Sequence, residues 1–262
     1  MNYNSILITG GNGKLGKALI KSISPKESIL SPTRADLDIT DSTSVSKYFE
    51  THKIDAVIHC AAIASVRICE KNSDLAVATN VIGTANILRE SMNVPNLRLI
   101  YISTDYVYPC TKGPYKETDY VEPFTVYAWT KLAGENLVRL HLNHCIIRTS
   151  FFQPENISFE TAFKDSFCSK IPITELAEEI IKLLNGKFIG IVNVGQNRIS
   201  LYDLYKKYKP EIKPELMPTE GLVKRANDSS LDISLWRKIK KTLNSDSSFL
   251  DVQSGLKHFD IR

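Results

Sequence analysis

The run Ser5-Ile-Leu-Ile-Thr9-Gly10-Gly11-Asn12-Gly13-Lys14-Leu15-Gly16, followed by Ala18-Leu19-Ile20, governs how the rest of the chain is read. Its first five residues, apolar and β-branched, predict a strand, and the apolar spacing after Gly16 predicts a helix. Between them the glycines recur as Gly10-x-x-Gly13-x-x-Gly16. Glycine at those places allows a tight turn, a close approach of backbone to a pyrophosphate and close packing of helix on sheet. Gly10, Asn12 and Gly13 would then form a cradle, with the phosphates at the positive end of the helix. An empty glycine turn has the same bare spacing; the strand before it and the helix after it favour a dinucleotide.

Working outward, further apolar runs stand at Ala56 to Cys60, Leu97 to Ile102 and His144 to Arg148, separated by helical periodicity over Ala76 to Met92 and Ala128 to His141. Strands alternating with helices predict an α/β fold, a Rossmann-type doubly wound parallel sheet covered on both faces. Residues 1–149 are read as a dinucleotide-binding domain. Beyond them, 150–172 carries Pro154, Pro172 and two phenylalanine-rich pieces. A helix from Glu175 to Leu184, a strand from Ile189 to Val194 and lysine-rich helical segments follow, and a Ser- and Asp-rich surface tail after Lys241 ends in one short helix. Residues 150–262 are read as a smaller, shortened lobe capping the carboxyl edge of the sheet, with some segments returning to the main sheet.

Composition narrows the function classes. The 262 residues are 43% hydrophobic and 24% charged, ordinary for a globular protein, and no apolar run approaches the roughly 20 residues that span a bilayer. Lys+Arg 33 against Asp+Glu 29 leaves a net charge of +4 spread along the chain, which makes no case for nucleic acid or an anionic membrane. Five scattered cysteines without a C-x-x-C pair or clustered histidines lack the signature of zinc or of a disulfide framework. Reduced thiols and the absence of a secretory h-region in MNYNSILITGG predict a soluble, cytoplasmic protein that binds no metal.

At the end of the second strand, where a carboxylate would select NAD by accepting both ribose hydroxyls, the chain reads Ser28-Ile-Leu-Ser-Pro-Thr-Arg34. Arg34, helped by Ser31, is suited instead to a 2′-phosphate, so NADP(H) is preferred and NAD(H) is the alternative. A third element is Ser103-Thr104-Asp105-Tyr106 after the strand ending at Ile102, with Tyr127-Ala-Trp-Thr-Lys131 on a later helix. A Tyr and a Lys four residues apart share one helix face, so the ammonium can lower the phenol's pKa and make it a usable acid while still bonding a ribose.

These residues resemble the extended short-chain dehydrogenase/reductases, and within them the dTDP-4-dehydrorhamnose reductase-like branch. The resemblance rests on Thr9 to Gly16, Leu37-Asp-Ile-Thr-Asp41, His59-Cys-Ala-Ala62, Asn80-Val-Ile-Gly-Thr84, Ser103-Thr-Asp-Tyr-Val-Tyr108, Tyr127 to Glu135, Arg148-Thr-Ser150 and Arg225 to Asp232. It implies that Gly13, Lys14 and Leu15 line the pyrophosphate, that Asp38 and Ile39 hold the adenine, and that Cys60, Ala61, Ala62 and Ala64 pass close under the cofactor. Asn80 is implied to support the active-site strands. In the implied reaction Tyr127 protonates a ketone oxygen, Lys131 holds the nicotinamide ribose, and Thr104 bonds the substrate oxygen. Asp105, Tyr106 and Phe151 would touch the sugar, Phe151 standing where the branch often has tryptophan. A nucleotide-sugar substrate and a homodimer are implied as partners.

Asp105-Tyr106 lacks the Asp-Glu pair of the sugar-nucleotide dehydratases, which disfavours dehydration. A 4-epimerase using Thr104, Tyr127 and Lys131 is compatible with the same residues. The segment between Thr149 and Glu175 is shorter than in the branch, and its Gln-x-Gly-x-Pro-Thr-like element appears only as Asp165 to Ile171. That shortening leaves a further alternative, a non-catalytic NADP-binding regulatory subunit resembling that of methionine adenosyltransferase.

Overall fold

A computed structural model of the chain describes residues 3–23, 28–218 and 226–244. Arg225 and residues 245–262, with the expected terminal short helix, lie outside the described residues, while residues 242–244 continue a helix where the irregular tail was expected to begin. The first half runs β1 (Ser5–Thr9), α1 (Lys14–Ser22), β2 (Ser28–Leu30), α2 (Ser42–Thr51), β3 (Ala56–His59), α3 (Val66–Lys71), α4 (Ser73–Val77), α5 (Gly83–Met92), β4 (Arg98–Ile102), α6 (Val126–Val138) and β5 (His144–Thr149). A π-helical turn over Ala78–Ile82 joins α4 to α5. The second half runs β6 (Phe151–Phe152), β7 (Thr161–Phe163), β8 (Phe167–Cys168), β9 (Ile171–Pro172), α7 (Ile173–Asn185), β10 (Gly190–Val194), β11 (Ile199–Ser200), α8 (Leu201–Lys206), β12 (Lys213–Glu215) and α9 (Ser234–Asn244).

Six strands form one parallel sheet in the order β10-β5-β4-β3-β1-β2. The inner strands read mainly as apolar runs because both faces are covered, whereas the edge strand β2 is exposed to half-buried. Ile6, Ile8, Ile58, Ile100 and Ile147 face the layer of α1 and α7. Their neighbours Leu7, Val57, Leu99 and Ile146 face the layer of α2, α5 and α6. Successive side chains point to opposite faces, so one strand feeds two cores. The order reverses between β1 and β3, which opens a crevice at their carboxyl ends.

The chain crosses the boundary expected at residue 150 in both directions. Helix α7 packs on α1, and β10 extends the main sheet beside β5 in parallel register, Ile191 opposite Ile146. Conversely, Val107, Tyr108, Cys110 and Tyr115, which precede the boundary, join Ala226, Leu231 and Ile233 in a core of the cap. Three two-stranded pieces, β11-β8, β12-β7 and β6-β9, complete the lobe. Burial decides this arrangement: α7 carries an apolar stripe of Leu176, Ala177, Ile180, Leu183 and Leu184 that only the sheet face can cover. Among the described residues no helix is long and apolar enough to cross a membrane.

Candidate active site

The glycine loop sits at the carboxyl end of β1. Gly10 has φ +69°, in the left-handed region, and a Cβ there would stand 2.8 Å from the Ala61 backbone at the end of β3. A Cβ at Gly16 would stand 2.5 Å from the Gly10 carbonyl oxygen and 2.6 Å from Gly11 Cα, so only glycine lets α1 start this close to the turn. Gly13 caps α1 without a side-chain hydrogen bond, leaving first-turn amides open toward the crevice. Asn12, Gly13 and Lys14 are exposed around that end, whereas the Leu15 side chain is buried in the core. These features fit a dinucleotide: an anion is received by backbone, and side chains would fill the space it needs.

On the far side of the loop, Ser31 leans against Gly11 at the end of β2. Arg34 has 74% of its side chain exposed and bonds Asp38 Oδ2 at 3.1 Å. Asp38 is itself fixed by Thr40, whose amide and hydroxyl donate to Oδ1 at 2.9 and 2.7 Å and hold the carboxyl below its ordinary pKa. Ile39 is buried against Gly83. Cys60, Ala61 and Ala62 are half-buried along the crevice floor and Ala64 is exposed at its rim. Beneath them the buried His59 pairs with Thr9 Oγ1 through Nδ1 (2.7 Å) and with Thr84 Oγ1 through Nε2 (3.0 Å). Thr84 Oγ1 also stands 2.7 Å from the Asn80 carbonyl, so an Nε2–H tautomer satisfies every partner. Burial pushes the His59 pKa down to about 3, with Lys131 adding to the shift, so the ring is a neutral structural group.

Thr104 and Tyr127 meet next to this floor, with Lys131 one turn on along the same helix. Thr104 follows β4 and caps the short turn Asp105–Val107, accepting from the Tyr106 amide at 3.2 Å and donating to Asp105 Oδ1 at 3.1 Å. Tyr127 lies in the first turn of α6 and its phenol is hydrogen-bonded to Thr104. Lys131, one turn on, is 3% exposed, with its ammonium 4.0 Å from the centre of the Tyr101 ring. Gly134 makes that approach possible, because a Cβ there would overlap the Tyr101 hydroxyl. Asn80 anchors the helix from below: its Nδ2 donates to Thr130 Oγ1 at 2.9 Å and to the Ile63 carbonyl at 3.2 Å, while Oδ1 accepts from the Ile63 amide.

Electrostatics departs from the expectation that Lys131 lowers the phenol. Burial dominates and raises the Tyr127 pKa, with the Thr104 hydrogen bond offsetting only part of it and Asp105 adding to it. Burial likewise brings Lys131 down to about 7, against the opposing pull of Cys60 and Glu135. Spacing on a helix shows that two side chains share a face; it does not show how much water they lose.

On the cap side Asp105 is buried, its pKa raised by burial and lowered in part by Ser229 and Lys170. Its Oδ2 has no well-formed hydrogen bond. Tyr106 is pushed up to about 12 by burial and the nearby Asp105. Phe151 is half-buried and pairs with Ile171 between the two strands β6 and β9, packed against the main core. Lys170, which sequence reasoning left without a role, stands in the turn between β8 and β9, where its charge acts on Asp105, Tyr106 and Tyr205. Its only signal in sequence was a lysine inside the shortened Asp165–Ile171 element. The five cysteines carry free thiols, and among the described residues no group of three metal-ligating side chains could hold an ion.

Comparison with known proteins fits this geometry. The family described as the RmlD substrate binding domain matches residues 4–163. The spore coat polysaccharide biosynthesis protein SpsK of Bacillus subtilis is 34% identical over 198 residues, 69% of each chain. A dTDP-4-dehydrorhamnose reductase of Aggregatibacter actinomycetemcomitans is 35% identical over 150 residues, 56% of this chain and 51% of that one, so the chain spans about half of that relative's length in the match. The crystal structure of a dTDP-4-dehydrorhamnose reductase from Bacillus anthracis in complex with NADP has a TM-score of 0.80 at 28% identity, covering 91% of this chain and 92% of that one.

Proposed function

The chain belongs to the family of the RmlD substrate binding domain, and on that premise we propose that it is an NADP(H)-dependent reductase of a nucleotide-activated 4-keto-6-deoxy sugar, with Tyr127 as the proton donor. The observation that supports this reading is the hydrogen bond between Tyr127 and Thr104, with the buried Lys131 one turn on along the same helix, at the carboxyl edge of the sheet that also bears the glycine loop. In this reading Gly10, Asn12, Gly13 and the first turn of α1 receive the pyrophosphate, and Arg34 turns from Asp38 to a 2′-phosphate. When bound, reduced NADP supplies a hydride.

As charge develops on the ketone oxygen, the Tyr127 hydroxyl gives up its proton to that atom. Thr104 Oγ1 bonds the same oxygen and orients the carbonyl. Lys131, whose pKa burial lowers to about 7, holds the ribose hydroxyls through Nζ, and in its protonated form stabilises the phenolate left when Tyr127 gives up its proton. Asp105, with a buried carboxylate oxygen lacking a well-formed hydrogen bond, accepts from a sugar hydroxyl, Tyr106 and Phe151 flank the ring, and Lys170 gives the cap a cation for the polar substrate.

The test is NADPH consumption with a panel of dTDP-, UDP- and GDP-linked 4-keto-6-deoxy sugars. One of them should be reduced, and Tyr127→Phe should lower kcat by about 10²–10⁴-fold while leaving NADPH affinity intact. Turnover with no net oxidation of NADPH would replace the reading by a 4-epimerase. No consumption, an unaffected Tyr127→Phe protein and one stoichiometric protein partner in a pull-down would replace it by a regulatory subunit.

A further inference from the structure

Beyond the pull of Glu135 on Lys131, Glu135 and Arg148 have no part in the chemistry above, yet they are among the most deeply buried charges of the fold, with 1% and 4% of their side chains exposed. Glu135 lies one turn beyond Lys131 and two beyond Tyr127 on the inner side of α6. Arg148, on β5, grips both of its carboxylate oxygens, Nη2 to Oε2 at 2.7 Å and Nε to Oε1 and Oε2 at 3.0 and 3.2 Å. Such a pair, taken wholly out of water, is an uneconomical way to join a helix to a strand, since an apolar contact would serve as well.

Apart from a longer bond from Arg148 Nη1 to the Glu117 carbonyl at 3.4 Å, the pair's remaining hydrogen bonds go to one segment. Ser103 donates to Glu135 Oε1 at 2.5 Å, and Arg148 Nη1 donates to the Tyr108 hydroxyl at 2.9 Å. Ser103 immediately precedes Thr104, and Tyr108 closes the turn that Thr104 caps. The six residues that carry Thr104, Asp105 and Tyr106 are therefore held at their first and last members by the two halves of a single ion pair. Tyr108 is held further by donating to the Lys116 carbonyl at 2.9 Å, with Asn193 Oδ1 of β10 at 3.1 Å, and its ring stacks on Tyr115 of the cap.

We propose that Glu135 and Arg148 are positioning residues: through Ser103 and Tyr108 they clamp the Thr104 segment to the helix face that bears Tyr127 and Lys131, so that the hydroxyl, the phenol and the amine keep one geometry. The pair touches no substrate and acts through the segment it holds. The catalytic consequence rests on the reductase reading of Thr104 and Tyr127; the clamp itself is a property of the free protein and is measured without turnover.

The experiment uses the full chain and two variants that each delete one hydroxyl and keep the ion pair, Ser103→Ala and Tyr108→Phe, with Ser103→Thr as the conservative control. Amide hydrogen exchange of a peptide covering residues 103–108 reports the clamp, and kcat against NADPH Kd reports its consequence. Faster exchange in both hydroxyl-deleted variants is expected, with kcat lowered roughly tenfold to hundredfold, NADPH Kd unchanged, and both values restored by Ser103→Thr. Unchanged exchange in the two variants overturns the proposal whatever the turnover, and so does a wild-type kcat in a variant whose segment has loosened. If the wild-type chain reduces no keto sugar, faster exchange still supports the clamp while the reductase reading falls.

Discussion

Residues 9–16 offer the crevice backbone, whereas the cap offers it side chains. On the loop side the groups on offer are amides and the empty space of glycines, with Lys14 exposed at the start of α1, while Arg34 is largely exposed and paired with Asp38 at 3.1 Å. On the cap side Asp105 is buried, Tyr106 beside it is half-buried, and the half-buried Lys170 comes from a distant segment. Backbone recognition is rigid and tolerates solvent. Side-chain recognition in a dry wall is stronger per group, and it fails when any supporting contact moves.

Four experiments probe that contrast, beginning with the largest expected effect. Gly16→Val drives two methyl groups into the Gly10 carbonyl, so NADPH binding should vanish and stability should drop by about 3 kcal/mol, read by fluorescence titration and thermal melting; binding at wild-type strength would show that the loop tolerates side chains. Lys170→Met should raise the KM for the keto sugar roughly ten- to hundredfold without touching NADPH Kd, the size expected for losing a hydrogen bond from a charged donor. An equal loss of NADPH affinity would mean that the two walls are not independent.

The third concerns pH. The folded Lys131 pKa is about 7, below the usual value near 10.4, so between those limits the unfolded chain binds the extra proton and stability rises with pH on this account. Buried thiols and phenols, raised by burial, act in the opposite direction at the alkaline end, which makes a difference measurement necessary. Wild type minus Lys131→Met should gain at most about 1.4 kcal/mol per pH unit from pH 7 to 10 in denaturant titrations; a flat difference would mean that Lys131 stays solvated. Smallest is Arg34→Ala, which should cut the NADPH over NADH preference only about fivefold, because its site is open to water. A preference unchanged on comparing the two dissociation constants would move the 2′-phosphate site elsewhere.

Legibility in the sequence followed the same division. The loop was legible because its logic is local: a β-branched run, three glycines and a helical period occupy consecutive positions. Helix α6 was legible as the bearer of Tyr127 and Lys131 for the same reason. Lys170 was not, since a lysine in a short irregular element looks like any solvated lysine until the cap folds over it. Nor was the joint use of Glu135 and Arg148, although both stand in the motifs Tyr127 to Glu135 and Arg148 to Ser150, because nothing in either motif says that Ser103 and Tyr108 converge on them.

By itself, the sequence determined the alternation of strand and helix, the parallel sheet, and the family to which the chain belongs, all carried by periodicities and spacings of a few residues. Tertiary structure alone decided that α7 and β10 are the segments that return to the main sheet, that residues 107–115 belong to the cap, and that the Tyr127 pKa is raised where the helical spacing suggested it lowered. The physical reason is common to all three. Each depends on how much water a group loses when distant segments close over it, and desolvation is a property of the packed molecule with no counterpart in the order of residues.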